Sequence, residues 1–233
     1  MISIIVPVLN EEKIIGDLLV HLSCNASHQN IKEIIVVDGG STDGTTNMVT
    51  NFAETSIPIT LIESPKGRAK QMNLGAHHAS GSILYFLHAD SFPPKDFDTS
   101  ILTEVAKGNQ AGCFRMQFDH THWWLRLAGW LTQFKSRACR GGDQSQFISK
   151  GLFNDIGGYD EHFIIYEDNM LINELYSRKE FVVIQDPLIT SARLYRKKGV
   201  WRLQYHFWAI YVKKWFGASA DELYNYYKKN IVS

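Results

Sequence analysis

Four short aliphatic runs, each followed by a stretch of helical length, constrain this chain more than any other feature. They lie at residues 2–8, 33–37, 59–62 and 83–87, with helical patterns at 11–22, 44–52 and 68–77 between them. Runs this rich in Ile and Val bury both faces, which predicts parallel strands covered by helices on either side: an α/β fold. In such open sheets ligands bind beyond the carboxyl ends of the strands. The polar residues there are Asn10 and Glu11 after the first run, Asp38 in the turn cluster 38–44 after the second, Lys66 and Arg68 after the third, and His88 and Asp90 after the fourth.

The 233 residues suit a single domain over 1–233. Lys and Arg number 24 against 24 Asp and Glu, which gives no electrostatic drive toward nucleic acid. Cys24, Cys113 and Cys139 fit no zinc spacing and point to a reducing compartment. The chain opens directly on a strand without a basic leader, and it lacks an apolar run long enough to span a bilayer, so a cytoplasmic protein is expected. Beyond Pro93 and Pro94 the pattern predicts a strand at 111–118, an aromatic amphipathic helix at 122–134, a loop at 141–144, a short strand at 146–148, a helix at 168–178, a late strand at 181–184 and a helix at 200–216. In the last, Trp201, Trp208 and Trp215 recur every seven residues, flanked by Arg202, Lys213 and Lys214. That pattern fits an interfacial helix on a membrane surface; it also fits a helix closing the core.

The dinucleotide and P-loop glycine signatures are absent. A nucleotide could still be held by Asp38 on base or ribose, with a cation at Asp90 meeting the diphosphate. Mg²⁺ and Mn²⁺ bind through one or two carboxylates plus substrate phosphates. Plainer explanations stand beside each element. Asp38-Gly39-Gly40 and Asp143-Gln144 read as turns, and Glu167-Asp168 as first-turn acids complementing a helix dipole. His77 and His78, adjacent on a helix, do not share a face. His120 and His122 read as rim histidines beside Trp123 and Trp124, and Cys139, between Arg137 and Arg140, has no evident partner base.

Longer motifs carry a resemblance. IIVPVLNEE (4–12), VVDGGSTDGT (36–45), GRAKQMNLGA (67–76), YFLHAD (85–90), GGDQSQFISK (141–150), IGGYDE (156–161), YEDNML (166–171) and TSARLYRKKGVWR (190–202) occur in order. Over nearly its whole length the chain resembles family 2 glycosyltransferases of the GT-A fold. It is most similar to a small bacterial subgroup associated with arsenosugar or carotenoid-type glycosylation. The resemblance implies a Rossmann-like, mostly parallel sheet with C-terminal aromatic amphipathic helices. It divides the domain into a nucleotide-binding half (1–92), an acceptor and catalytic half (93–199) and a helical segment (200–233).

By the same resemblance Pro7, Asn10 and Glu11 line the base and ribose, Asp38 bonds the base, and Arg68 and Gln71 reach the nucleotide or its phosphates. Asp90 ligates Mn²⁺ or Mg²⁺. His88, on the nucleotide, stands where many relatives carry the first Asp of the metal motif. Glu167 and Asp168 form the acidic pair, with Asp168 the catalytic base. Asp143 and Gln144 shape the acceptor pocket, and Arg193 and Arg196 lie in a loop that closes on the diphosphate; Leu194 replaces a further expected Arg. The implied activity is inverting, metal-dependent transfer of a sugar from a nucleotide-sugar donor, UDP-linked, to the hydroxyl of a small-molecule or lipid-like acceptor. Residues 200–216 would give peripheral contact with the inner membrane face. Two other functions remain: a sugar-1-phosphate nucleotidyltransferase, against which the acidic 8–12 stretch argues, and a non-catalytic nucleotide-binding scaffold at a membrane.

Overall fold

The computed structural model describes residues 1–52, 56–141 and 144–232. Strands β1 (Ile2–Val8), β2 (Ile31–Asp38), β3 (Ile59–Glu63) and β4 (Ile83–Phe86) alternate with helices α1 (Glu12–Asn25), α2 (Thr45–Thr50) and α3 (Arg68–His78). The four strands are parallel in the order β3-β2-β1-β4. Successive side chains point to opposite faces of a strand, and here both faces are apolar. Ile4, Val6, Ile34, Val36 and Tyr85 pack with α1 residues Ile15, Leu18, Leu19 and Leu22 on one side. Ile5, Ile35, Val37, Leu84 and Phe86 pack with Ala69, Met72 and Ala76 of α3 on the other. Each such fully buried aliphatic side chain contributes roughly 1.5–3 kcal/mol over exposure.

The second half extends the same sheet. It contains β5 (Ser91–Phe92), α4 (Phe97–Ala106), β6 (Ala111–Phe118), α5 (Trp123–Leu131), one turn of 3₁₀ helix (Arg137–Cys139), β7 (Gln146–Ser149), α6 (Lys150–Ile156), α7 (Glu167–Ser177), β8 (Val182–Thr190), α8 (Arg193–Lys198), α9 (Val200–Trp215) and α10 (Ala220–Tyr227), closing with Lys228–Val232 in a π-helix. The full order is β3-β2-β1-β4-β7-β6-β8-β5. Strand β7 is antiparallel to β4 and β6, β8 is parallel to β6, and β5 is antiparallel to β8. The sheet is therefore mixed and mostly parallel, as expected for an α/β fold.

The late strand is longer than its sequence suggests. Gln185-Asp186-Pro187 reads as a break, yet β8 continues past it to Thr190 because the register shifts: Phe114 faces Ile184 while Arg115 faces Pro187. Pro187 has no N–H to donate, and a bulge is where a strand tolerates that. Helix α5 is shorter than the expected 122–134. His122 caps it by accepting from the Trp124 N–H at 3.2 Å, and the Thr132 hydroxyl turns back onto the Gly129 carbonyl. Helices α4, α6 and α10 fall outside the expected elements, and α8 takes the place of the loop expected to carry Arg193 and Arg196.

A third apolar cluster joins Leu125 of α5, Tyr195 of α8, Leu203 and Ile210 of α9 and Leu223 of α10 to Met116 and Phe118 of β6. Helix α9 thus closes the core with one face and leaves its tryptophan face exposed. Leu203 and Ile210 are buried one heptad apart, while Trp201, Trp208 and Trp215 remain 50%, 47% and 85% exposed. Among the described residues no helix is long and apolar enough to cross a membrane.

Gly75 sets the approach of α3 to the sheet. A Cβ there would stand 2.5 Å from Ile5 Cγ2 and 3.1 Å from Val37 Cγ2. Gly75→Ala should lower unfolding stability by about 1–3 kcal/mol through overpacking, read as a lower denaturation midpoint at unchanged slope.

Candidate active site

The loops beyond the strand ends hold one another in place before any ligand is considered. Asn10 adopts a left-handed φ of 57°; its side-chain oxygen accepts from the Thr42 N–H at 2.8 Å and its own N–H donates to Ser41 Oγ at 2.8 Å. Asp38 is 3% exposed and accepts from the N–H groups of Gly40 and Ser41, both at 2.9 Å, and from the Ser41 hydroxyl. Gln71, reaching up from α3, donates its amide to the carbonyls of Val8 and Val37 at 2.8 Å each, tying the ends of β1 and β2 together. These three expected nucleotide contacts therefore also shape the loops that would receive the nucleotide.

Four carboxylates and two arginines form the charged centre. Beyond β4, Asp90 Oδ2 lies 3.2 Å from Arg193 Nε. The other end of that guanidinium takes Glu11 in a two-pronged contact at 2.5 Å, the strong geometry for an arginine–carboxylate pair. Across the cleft Arg68, opening α3, lies 3.3 Å from Glu167 and 3.5 Å from Asp168. Arg196 pairs with Asp119 at 3.0 and 3.1 Å, and Asp119 also accepts from the Ala192 N–H at 2.6 Å. Burial opposes ionisation of Asp119, but these partners outweigh it and hold its carboxyl below the usual range. Arg196 thereby anchors α8, from which Arg193 reaches the cleft.

Glu167 and Asp168 begin α7, only 1% and 7% exposed. Negative charge in a first helical turn is favoured by the dipole, so the plain explanation of this pair and the functional one coincide. The preceding residue, Tyr166, is held at φ 74°, a conformation that costs a bulky residue about 1–3 kcal/mol. Tyr159 lies beside this pair without an expected role. Its buried hydroxyl has a pKa raised well above normal by burial and by the nearby charges of Asp168 and Glu167. IGGYDE, quoted as a motif, was the available signal.

The two carboxylate–arginine centres share a cleft of about 1950 Å³, whereas Asn10, Asp38, Tyr159 and Arg196 lie outside its lining. Pro7, Glu11, Arg68, Gln71, His88, Asp90, Gln144, Asp168 and Arg193 line it. Gln144 donates to the Cys139 carbonyl at 3.2 Å and accepts from Arg140 at 3.1 Å. Asp143 lies outside the described residues. Among the described residues no group of three or more His, Cys, Asp or Glu side chains is arranged to hold a metal alone. Asp90 and Glu11 do offer hard oxygen donors facing a cation, here Arg193. That suits an ion of the Mg²⁺ or Mn²⁺ kind, which takes one or two carboxylates and completes its shell with phosphate and water.

The model of the family described as Glycosyl transferase family 2 matches residues 3–153. The chain belongs to glycosyl transferase family 2. An uncharacterized glycosyltransferase of Haemophilus influenzae is 37% identical over 99 residues, which cover 41% of this chain and 38% of the relative. A PGL/p-HBAD biosynthesis glycosyltransferase of Mycobacterium bovis is 28% identical over 178 residues, 72% of this chain and 66% of the relative. The chain thus spans well under half of the Haemophilus relative. Among solved structures, S. aureus TarS 1-349 superposes with a TM-score of 0.69 at 18% identity, covering 83% of this chain and 61% of that one. Mannosyltransferase PcManGT from Pyrobaculum calidifontis, in complex with GDP-Man and Mn²⁺, gives 0.64 at 20% identity over 100% of this chain and 64% of that one. The fold of this family 2 chain is accordingly the expected GT-A α/β architecture.

Gln71→Leu removes both amide hydrogen bonds at the β1 and β2 ends, although the Val8 carbonyl keeps the Gly39 N–H at 3.0 Å. The expected loss of stability is about 1–3 kcal/mol, measured by chemical denaturation without ligand.

Proposed function

We propose that this chain transfers a sugar from a nucleotide-sugar donor to an acceptor hydroxyl, with inversion and with help from a divalent cation. One observation carries the reading: two separate carboxylate centres, Asp90 with Glu11 and Asp168 with Glu167, face one cleft beyond the strand ends, each paired with an arginine. Displacement at an anomeric carbon has two demands of this kind. The negative charge that builds on the leaving diphosphate must be stabilised, and the attacking hydroxyl, with a pKa far above seven, needs a base. Asp90 is the residue to hold Mn²⁺ or Mg²⁺, which supplies Lewis-acid stabilisation of the leaving group when bound. Arg193 and Arg68 offer guanidinium groups to the phosphate oxygens, a geometry arginine matches well.

Asp168 is the proposed base. Its place at the start of α7 holds the carboxylate in one position, and Arg68 orients it. Pro7, Asn10, Glu11, Asp38, Gln71 and His88 frame the nucleotide, Asp143 and Gln144 the acceptor, and Arg196 keeps α8 beside the donor. Support for a nucleotide donor comes from neighbours of the same fold, TarS with UDP-GlcNAc and PcManGT with GDP-Man. We assign UDP, and place the chain in the bacterial subgroup its motifs resemble. The exposed tryptophans of α9 rest, in this reading, on the cytoplasmic membrane face. Residues 193–216 support this with seven Lys and Arg and no Asp or Glu, a composition drawn to anionic lipid.

Calorimetric titration of UDP and GDP, with Mn²⁺ and with chelator, tests the donor side. UDP should bind in a metal-dependent way that Asp90→Asn abolishes. Asp168→Asn should keep that binding while its turnover falls by about 10²–10⁴-fold. Binding indifferent to both metal and Asp90 would remove the donor assignment. For the membrane contact, pelleting with phosphatidylglycerol vesicles should be lost in a Trp208→Ala/Trp215→Ala double variant; equal pelleting would place the contact elsewhere.

A further inference from the structure

The cleft holds more positive charge than its carboxylates balance. Eight Lys and Arg residues line it against four Asp and Glu, in a chain whose charges cancel overall. Arg68 and Arg193 account for all four carboxylates. Arg137 and Arg140, on the wall formed by the 3₁₀ turn, make no ion pair among the described residues.

Arg140 is the more telling of the two. Its side chain is buried, with the residue 3% exposed, yet every partner among the described residues is neutral: the carbonyls of Thr132 and Phe134, Gln144 Oε1 at 3.1 Å and Cys113 Sγ at 3.0 Å. Its Nε has no hydrogen-bond partner among the described residues. Cys113 is not the missing counter-ion, because burial pushes its thiol up to about 11 and it stays protonated at neutral pH. A buried cation without a counter-charge is costly, and an anionic ligand relieves that cost.

Arg137 carries the charge into the open cleft. It is linked to Arg140 through that residue's carbonyl at 3.4 Å. Its guanidinium donates to Asn169 Oδ1 at 3.0 Å and to Asn173 of α7. Asn169 directly follows Asp168, so this positive pair adjoins the base proposed above. Tyr211 of α9 reaches the same Asn169 oxygen at 3.4 Å, and from Tyr211 the lining continues as aromatic wall through Trp208, Trp124 and Trp215.

We propose that the acceptor is an anionic amphiphile. Its phosphate sits against Arg137 and Arg140, its apolar chain lies along the tryptophan wall, and its reacting hydroxyl is presented to Asp168. This rests on the glycosyl-transfer reading and adds the acceptor class to it. Bidentate pairing with phosphate is what a guanidinium provides and an ammonium does not, and indole walls suit an amphiphile's apolar part.

The test is calorimetry on the full chain with UDP present, using octyl phosphate, octyl glucoside and inorganic phosphate as probes. Octyl phosphate should bind at least about tenfold more tightly than either of the others, and Arg137→Gln should remove about tenfold or more of that affinity. Arg137→Lys, which keeps the charge but not the fork, should fall between, with melting curves reporting that both variants fold. The wild-type comparison of probes needs no variant. Octyl glucoside binding as tightly as octyl phosphate would overturn the anionic acceptor, and inorganic phosphate binding as tightly would overturn the amphiphile. Octyl phosphate binding untouched by Arg137→Gln would overturn the site. Failure of UDP and GDP to bind the wild type, with octyl phosphate still dependent on Arg137, would remove the acceptor role and the glycosyl-transfer reading together while leaving an anion site.

Discussion

Burial of both faces of one sheet is the constraint on which the rest depends. Strands β1, β2 and β4 carry apolar side chains above and below, so polar groups have no place along their length. An unpartnered polar group buried there would cost several kcal/mol. Chemistry is therefore pushed to the strand ends, where backbone hydrogen bonding stops and loops begin. Asn10, Asp38, Gln71 and Asp90 collect at that edge for this reason. Several of them close the loops as well as face the cleft.

At the edge, charge organises the arrangement. Two arginines hold four carboxylates, and each arginine comes from a different element than its partners: Arg193 from α8 reaches the β1 and β4 ends, and Arg68 from α3 reaches α7. Such bridges tie together segments far apart in the chain. Exposed pairs contribute little to stability, so their value here lies in position. Beyond them a second pair of arginines stands without carboxylate partners among the described residues, and the aromatic side of the cleft starts there.

How much could be read beforehand varies with the physics of each part. The first four strands were legible within a residue or two, since periodicity and β-branched composition agree and nothing tertiary competes. Strand β8 was not: Pro187 breaks a local pattern, and only the shifted pairing with β6 absorbs it. Helices α4, α6 and α10 are short or mixed in polarity, and their burial is decided by neighbours. For the site, Asp90, Asp168, Arg68 and Arg193 were named from motifs that the fold brings to one cleft. Tyr159 and Arg140 went unassigned because the burial of a polar side chain is set by the packing of several elements and is invisible in a local pattern.

What the sequence by itself determined is local: an α/β alternation, strands buried on both faces, turn chemistry at their ends, and an aromatic, basic final helix. These follow from side-chain period, β-propensity and composition within a few neighbouring residues. The tertiary structure alone decided that Glu11 and Asp90 share Arg193, that Glu167 and Asp168 share Arg68, and that Arg140 is buried among neutral acceptors. The ion pairs, and the contact of Arg140 with Cys113, join residues tens to hundreds of positions apart. They arise from how the strands are ordered and which way the helices cross, and no local pattern encodes such an order.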